Sequence, residues 1–198
     1  MVVIGLTGGI GCGKSYVADK MRSRGIPVYD CDSNAKRIMA TDNMVVEALK
    51  ELVGESLYSN GIMNKGMLAD FIFGNDGNIH AVNAIVHPAV RADIARWLCG
   101  QTSDLCIVES AILFESGFQD CVQLVVTVNA PEELRIRRCM ARDGVGRESV
   151  ARRISSQMPQ REKCLRADFV IENDGVHDLD SQIGAVIDKC KKLSNNSN

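Results

Sequence analysis

A glycine-rich stretch near the N-terminus combines residue types that bind phosphate. Residues 8–15 read Gly-Gly-Ile-Gly-Cys-Gly-Lys-Ser and match the pattern G-x-x-x-x-G-K-[ST], between an apolar run and a helical pattern. In such a loop the backbone N–H groups surround an anion, Lys14 adds positive charge at the terminal phosphates, and the Ser15 hydroxyl ligates Mg²⁺. The sequence therefore predicts a nucleoside triphosphate site. Its nucleotide-binding residues are predicted to be Gly9, Ile10, Gly11, Cys12, Gly13, Lys14, Ser15 and Tyr16.

Two carboxylates, Asp30 and Asp32, follow the second apolar run of the chain. If this run is a strand of a parallel sheet, the two carboxylates lie at its carboxyl end, which is the edge where ligands of such sheets bind. A kinase needs a carboxylate there, because a group must accept or orient the proton of the acceptor hydroxyl. We predict that Asp30 and Asp32 are catalytic, and the choice between them as the main carboxylate stays open. Either one could instead cap the helix that follows.

Arginine is concentrated between residues 135 and 153, with only Asp143 and Glu148 as nearby acids. Guanidinium groups that arrive when a lid closes stabilise the charge on a transferred phosphate. Arg138 and Arg142 lie four residues apart, so one helix face could direct both at the same phosphates. We predict that both are catalytic. The alternative is a solvated basic face.

Three further side chains are candidates for contact with an acceptor. His87 precedes Pro88 within a helical stretch, and Arg91 follows one turn later. Glu115 comes after the third apolar run, where its loop would reach the acceptor pocket. The alternatives are a capping or packed histidine at position 87 and an exposed loop acid at position 115.

These residues need a scaffold, and five short apolar runs predict one. The runs span residues 2–6, 26–29, 105–108, 124–128 and 169–172, with helical patterns between them. This alternation predicts a parallel sheet with helices on both faces. Residues 33–103 differ, because their apolar positions have helical spacing and no strong strand is present. They predict a helical insertion, too long for a simple crossover.

Composition limits the class of protein. The 198 residues are 45% hydrophobic and 24% charged, with a net charge of -2, so no overall basic surface is available for nucleic acid or anionic membrane. We find no signal-peptide pattern and no apolar run near the roughly 20 residues of a membrane span. The eight cysteines form no C-x-x-C pair, so we expect reduced thiols in a cytoplasmic protein.

Other proteins with phosphate loops carry motifs that this chain lacks. A GTPase would carry N-K-x-D, but the Asn-Lys pair at 64–65 is followed by Gly and Met. An oligomeric ATPase would end a strand in adjacent acids, whereas the run at 105–108 ends in the single Glu109. Two classes of protein stay open at this point. One is a kinase that phosphorylates a small hydroxyl compound or a nucleotide, and the other is a nucleotide-dependent switch.

Taken together, the motifs resemble the dephospho-CoA kinase family, in the same order over nearly the whole chain. They are the opening Ile4 to Ser15, Asp30-Cys31-Asp32, His87-Pro88, Leu113-Phe114-Glu115, Arg138 with Arg142, and Ala167-Asp168 before Asn173 and Gly175. The resemblance implies a three-layer α/β fold of the P-loop nucleoside-kinase type, with a five-stranded parallel core, a helical substrate domain and a short lid. It implies that ATP phosphorylates the ribose 3′-hydroxyl of dephospho-CoA, the last step of coenzyme A synthesis.

The resemblance also implies boundaries and roles for single residues. The nucleotide-binding core would comprise residues 1–32, 104–134 and 154–193, the CoA-substrate domain 33–103 and the Arg-rich lid 135–153. Residues 194–198 contain only Ser and Asn, and this composition predicts a disordered tail. Asp32 would lie beside the acceptor hydroxyl, with Asp30 in support. The other substrate-binding residues would be Thr7, His87, Arg91, Leu113 and Glu115, and Asn173 and Gly175 would border the adenine. We expect a monomer or weak homo-oligomer.

Three single positions and one three-residue segment depart from the family pattern. Cys12 and Cys31 replace other small residues and leave the loop and both aspartates in register. The reactivity of Cys12 stays open, because a helix N-terminus and Lys14 favour its thiolate whereas bound ATP would cover it. Tyr16 replaces a threonine, which puts an extra hydroxyl contact to the α-phosphate in doubt, and Ser110-Ala111-Ile112 makes the path of the loop before Glu115 less certain.

Overall fold

Residues 1–195 are described by the structure, which is a computed structural model. The chain divides into two compact units. The first is formed by Met1–Asp30 and by the chain from Trp97 onward, and the second is Cys31–Arg96. No helix in the described part of the chain is long and apolar enough to cross a membrane.

The first unit contains a five-stranded parallel sheet. Its strands are β1 (Val2–Thr7), β2 (Val28–Asp30), β5 (Leu105–Glu109), β6 (Leu124–Asn129) and β7 (Phe169–Glu172), in the spatial order β2-β5-β1-β6-β7. The central strand β1 is buried along its whole length, as expected of a parallel strand covered on both faces. The predicted parallel sheet is confirmed. The strand order reverses at β1, and the carboxyl ends of β1 and β5 lie side by side there. Ligands of such sheets bind at this point.

Helices flank this sheet. They are α1 (Lys14–Arg22), α6 (Glu132–Asp143), α7 (Arg147–Ser155), α8 (Gln160–Arg166) and α9 (Leu179–Asn195). Helix α1 buries Val17 and Met21, and α9 buries Ile183, against the apolar side chains of the sheet. Burying an apolar side chain of this size contributes about 1.5–3 kcal/mol. The sheet and its helices therefore hold the strand ends in fixed positions.

Two boundaries differ from the sequence prediction. Helix α9 continues through Asn195, so the disorder predicted for the tail is wrong at residues 194–195, and residues 196–198 lie outside the described residues. The insertion predicted at 33–103 corresponds to a unit that ends at Arg96. Trp97 belongs to the first unit, where its ring packs on that of Tyr29 at 5.5 Å between centroids.

The second unit consists of helices and one small hairpin. The helices are α2 (Cys31–Thr41), α3 (Asn43–Val53), α4 (Lys65–Ile72) and α5 (Asp76–Cys99), the last of which reaches into the first unit. Asp42 and Asn64 cap α3 and α4 with side-chain oxygens. The antiparallel strands β3 (Tyr58–Ser59) and β4 (Ile62–Met63) form a small hairpin that the sequence prediction of a helical insertion did not include.

Candidate active site

The glycine-rich loop joins β1 to α1 and needs glycine for steric reasons. Gly11 and Gly13 have φ angles of 79° and 87°, in the left-handed region that glycine favours. A Cβ atom on Gly13 would lie 2.1 Å from Nδ2 of Asn173, and one on Gly11 would lie 2.4 Å from the carbonyl oxygen of Arg135. The loop is therefore pressed against the elements behind it.

Lys14, Ser15 and Glu109 meet at the carboxyl ends of β1 and β5. Lys14 Nζ donates to Glu109 Oε1 at 2.5 Å, and Ser15 Oγ donates to the same oxygen at 3.0 Å. The Glu109 side chain is only 3% exposed, and Arg22 Nη2 lies 3.7 Å from its second oxygen. A buried carboxylate is thus balanced by the lysine and the hydroxyl that the motif assigns to phosphate and metal.

Cys12 lies inside the loop with its thiol fully covered. Burial raises the pKa of this thiol, and the opposing effects of the Lys14 backbone N–H and of the positive charge of Lys14 are smaller. The helix N-terminus and Lys14 therefore do not lower the pKa of Cys12 below its ordinary value. Desolvation of a thiolate outweighs the helix N-terminus at this position.

The back of the loop is held by side chains from three later segments. Arg135 on α6 donates from Nε to the Ile10 carbonyl at 2.9 Å. Gln157 accepts from the Ile10 N–H at 2.9 Å, and Gln160 accepts from the Gly9 N–H at 2.8 Å. These contacts fix the first half of the loop from outside.

Asn173 and Arg138 hold the second half of the loop. Asn173 Nδ2 donates to the Cys12 carbonyl at 2.8 Å, and Arg138 Nη1 donates to the Asn173 carbonyl at 3.0 Å. Gly175, in the same turn, has a φ of 86°. Asn173 thus contacts the glycine loop, while the contact of Asn173 and Gly175 with adenine stays a prediction.

Arg142 pairs with the acid that follows it on α6. Its guanidinium is largely exposed and donates to Asp143, which also accepts from Arg153 at 2.7 Å. These two guanidinium groups hold the pKa of the Asp143 carboxyl well below its usual range. Arg138 and Arg142 share one helix, as the spacing predicted, but they have different partners here. Their roles at the phosphates, and a moving lid at 135–153, stay predictions.

Asp30 and Asp32 are divided between the two units. Asp30 ends β2 and is paired in register with Glu109 in β5. It therefore lies at the same sheet edge as the ion pair of Lys14 and Glu109. Asp32 lies exposed in the first turn of α2, in the second unit. His87 and Arg91 lie one turn apart on α5, where burial and the Arg91 charge lower the pKa of His87.

Glu115 has protein partners in this structure. Its Oε1 accepts from Lys163 Nζ at 2.8 Å and from the Met158 backbone N–H at 2.9 Å. Lys163 is completely buried and also donates to the Ala111 carbonyl at 2.6 Å. This pair joins the loop after β5 to α8. The substrate contact predicted for Glu115 stays a prediction.

Three further predicted residues have less specific surroundings. Leu113 is buried, and its side chain occupies the space where a Cβ on Gly5 would lie. Thr7 is also buried, and its hydroxyl has no hydrogen-bond partner among the described residues. Tyr16 is exposed at the start of α1, with Lys20 Nζ 5.3 Å from its ring centroid. No substrate contact follows from these positions alone.

Sequence reasoning did not assign Glu109, Arg135, Gln157, Gln160 and Lys163 to the site. Glu109 carried a usable signal, because it is the polar residue that ends a buried strand beside the phosphate loop. The other four contact the loop or its neighbours from distant positions in the chain. Their spacing follows no local pattern, so only the folded chain brings them together.

Within the first unit, this arrangement suits the binding of a polyphosphate. The backbone N–H groups of Gly11 and Gly13 donate to no other group in the described residues. They lie beside the start of α1, whose first turn carries partial positive charge. Lys14 supplies a full charge, and Glu109 with the Ser15 hydroxyl supplies oxygen atoms for a cation.

Comparison with known proteins agrees with this geometry. The family model described as dephospho-CoA kinase (CoaE) matches residues 2–178. The dephospho-CoA kinase of Bacteroides fragilis (strain YCH46) is 44% identical over 183 residues, which cover 92% of this chain and 89% of the relative. The crystal structure of TT1252 from Thermus thermophilus has a TM-score of 0.84 and 38% identity, covering 95% of this chain and 97% of that chain.

A more distant likeness concerns the fold alone. Shikimate kinase from Bacteroides thetaiotaomicron has a TM-score of 0.51 at 15% identity, with 97% of each chain covered. Together with the parallel sheet, it confirms the predicted P-loop kinase fold class.

Proposed function

Because the chain belongs to the dephospho-CoA kinase family, we propose that it transfers the γ-phosphoryl group of ATP to the ribose 3′-hydroxyl of dephospho-CoA. The products are coenzyme A and ADP. One observation of the structure carries the phosphoryl-transfer part of this proposal: Lys14 and Ser15 converge on the buried Glu109 at the mouth of the glycine loop. The family match supports the identity of the acceptor.

In the proposed reaction, a bond forms between the 3′-oxygen and the γ-phosphorus while the bond to the β–γ bridging oxygen breaks. The electron pair of the broken P–O bond leaves with ADP, and the proton of the 3′-hydroxyl passes to a carboxylate. We propose Asp32 for that carboxylate, with Asp30 in support, because Asp30 ends β2 at the ligand edge of the sheet and Asp32 follows it by two residues in the first turn of α2. Lys14 leaves Glu109 for the β- and γ-phosphates, which carry more negative charge than one carboxylate.

The oxygen atoms of the site suit Mg²⁺. Mg²⁺ prefers oxygen ligands and is held in kinases by one or two protein groups together with the phosphates of the substrate. The Ser15 hydroxyl and the Glu109 carboxylate lie 3.0 Å apart, and no group of three or more metal-binding side chains occurs in the described residues. Ser15 would ligate the ion and Glu109 would hold its water. When bound, the ion neutralises charge on the β- and γ-phosphates.

We propose further roles for predicted residues on this basis. Arg138 and Arg142 stabilise the transferred phosphate as parts of a lid, and Asn173 with Gly175 borders the adenine. His87 and Arg91 bind the acceptor together with Thr7, Leu113 and Glu115. We also propose a cytoplasmic enzyme that acts as a monomer or weak homo-oligomer, and the free state of the eight cysteines agrees with a reducing compartment.

The position of the new phosphate tests the reaction directly. We expect ³¹P and ¹H NMR of the product to show a monoester at the ribose 3′-oxygen, with ADP formed in equal amount. Asp32→Asn is expected to lower the turnover number strongly and to leave the dissociation constant of ATP almost unchanged, because Asp32 acts on the acceptor. A phosphate at another oxygen, or a variant defective only in ATP affinity, would contradict the proposal.

A further inference from the structure

Arg135 is a buried cation with few partners. The whole residue is 3% exposed, and its side chain donates one hydrogen bond within the described residues, from Nε to the Ile10 carbonyl at 2.9 Å. Its Nη2 atom lies 2.4 Å from the place where a Cβ on Gly9 would be. No ion pair between Arg135 and a carboxylate occurs within residues 1–195.

A buried guanidinium without a carboxylate is unfavourable unless another anion compensates its charge. The glycine loop that it touches is the predicted site of a polyphosphate. Here the charge of the ligand and the charge of Arg135 are complementary. The protein thus keeps the Arg135 cation behind the loop, and the phosphates of the nucleotide supply the negative charge that compensates it.

The hydrogen bond of Arg135 also sets the direction of one peptide group. In a trans peptide the C=O and the following N–H point in opposite directions, and no cis peptide bond is present in the described chain. The Ile10 carbonyl points outward to Arg135. The N–H of Gly11 therefore points to the opposite side, toward the inside of the loop, and it has no other acceptor in the described chain.

We propose that Arg135 is a positioning residue for the nucleotide, which orients the Ile10–Gly11 peptide toward the phosphates and offsets their negative charge from behind the loop. The inference rests on the proposed use of ATP at this site. It differs from the roles proposed for Arg138 and Arg142, because Arg135 needs no lid movement. Its side chain is already in place beside the loop.

Two variants at this position separate charge from packing. Arg135→Gln keeps a side-chain amide that can donate to the Ile10 carbonyl but removes the charge, whereas Arg135→Lys keeps the charge. Lys191→Gln removes one positive charge from an exposed position on α9 and serves as the control. The dissociation constants of Mg-ATP and Mg-ADP are measured by titration calorimetry at low and high salt, and thermal unfolding checks that each variant is folded.

We expect Arg135→Gln to raise the dissociation constant of Mg-ATP by about tenfold, which corresponds to about 1.4 kcal/mol. The loss should be smaller for Mg-ADP, which carries less charge, and smaller at high salt. Arg135→Lys should recover most of the affinity, and Lys191→Gln should stay within about twofold of the parent protein.

Equal affinity of Arg135→Gln and the parent protein for Mg-ATP would overturn the inference. So would equal losses for Mg-ATP and Mg-ADP at both salt concentrations, because they would indicate a purely structural role. These readouts do not involve dephospho-CoA. A parent protein that binds Mg-ATP but fails to phosphorylate dephospho-CoA would refute the proposed function and leave the result for Arg135 standing.

Discussion

Lys163→Met tests whether the buried pair with Glu115 holds the loop after β5. The Lys163 side chain is 0% exposed and the Glu115 side chain 26% exposed. Removing one partner of a buried pair costs about 3–5 kcal/mol, and the partial exposure of Glu115 favours the lower end of this range. The Ala111 carbonyl also loses its donor. We therefore expect the free energy of unfolding to fall by about 3 kcal/mol.

Urea unfolding followed by circular dichroism measures this loss. For a chain of this size, about 3 kcal/mol corresponds to a melting temperature lowered by roughly 6–12 °C. Lys36→Met, at an exposed position on α2, is the matched control and should change stability by no more than about 0.5 kcal/mol. A loss below about 1 kcal/mol for Lys163→Met, with an unchanged m-value, would refute the reasoning.

Three other substitutions test separate parts of the account. Lys14→Ala should lower turnover by on the order of 10³–10⁵, as expected when a cation that stabilises the transition state is lost, and steady-state kinetics with Mg-ATP and dephospho-CoA measures this; retained turnover would exclude the assigned role. Gly13→Ala combines a φ of 87° with a Cβ 2.1 Å from Asn173, whereas Gly25→Ala meets a φ of 78° and open space. The Gly25 variant should lose about 1–2 kcal/mol from backbone strain alone, and the Gly13 variant should lose more and bind ATP weakly; equal losses in urea unfolding would contradict the described packing. Because the pKa of His87 is lowered, the folded chain binds fewer protons than the unfolded chain below about pH 6.5. The free energy of unfolding should therefore fall as the pH drops through that value, and it should level off below the pKa of His87 in the folded chain. His87→Asn should flatten this part of the curve, and parallel curves for the two proteins between pH 7.5 and about pH 5 would count against a burial-lowered pKa.

The sheet could be predicted because each strand is a short apolar run bounded by helical patterns. The hairpin of β3 and β4 was missed, although Asn60-Gly61 is a frequent two-residue turn. Each of its strands has only two residues, too few to show an alternating pattern. The end of α9 was missed because Ser and Asn have low helix propensity, while the structure continues the helix to Asn195.

The phosphate loop was predictable because its chemistry is local. Lys14 and Ser15 follow the glycines in a fixed register, and one strand and one helix position them all. The supports of the loop were not predictable, since Gln157 and Gln160 reach it across 147 and 151 positions of the chain. The direction of the Cys12 pKa shift could not be predicted from the sequence, because burial depends on packing that the sequence does not display.

The acceptor dependence of ADP release tests the central claim most directly. A coupled assay with Mg-ATP compares dephospho-CoA with AMP, shikimate, a nucleoside and no acceptor. The proposed function predicts rapid ADP release with dephospho-CoA and almost none under the other conditions. Equal ADP release with and without an acceptor would contradict it, and it would indicate a nucleotide-dependent switch that uses the same phosphate loop.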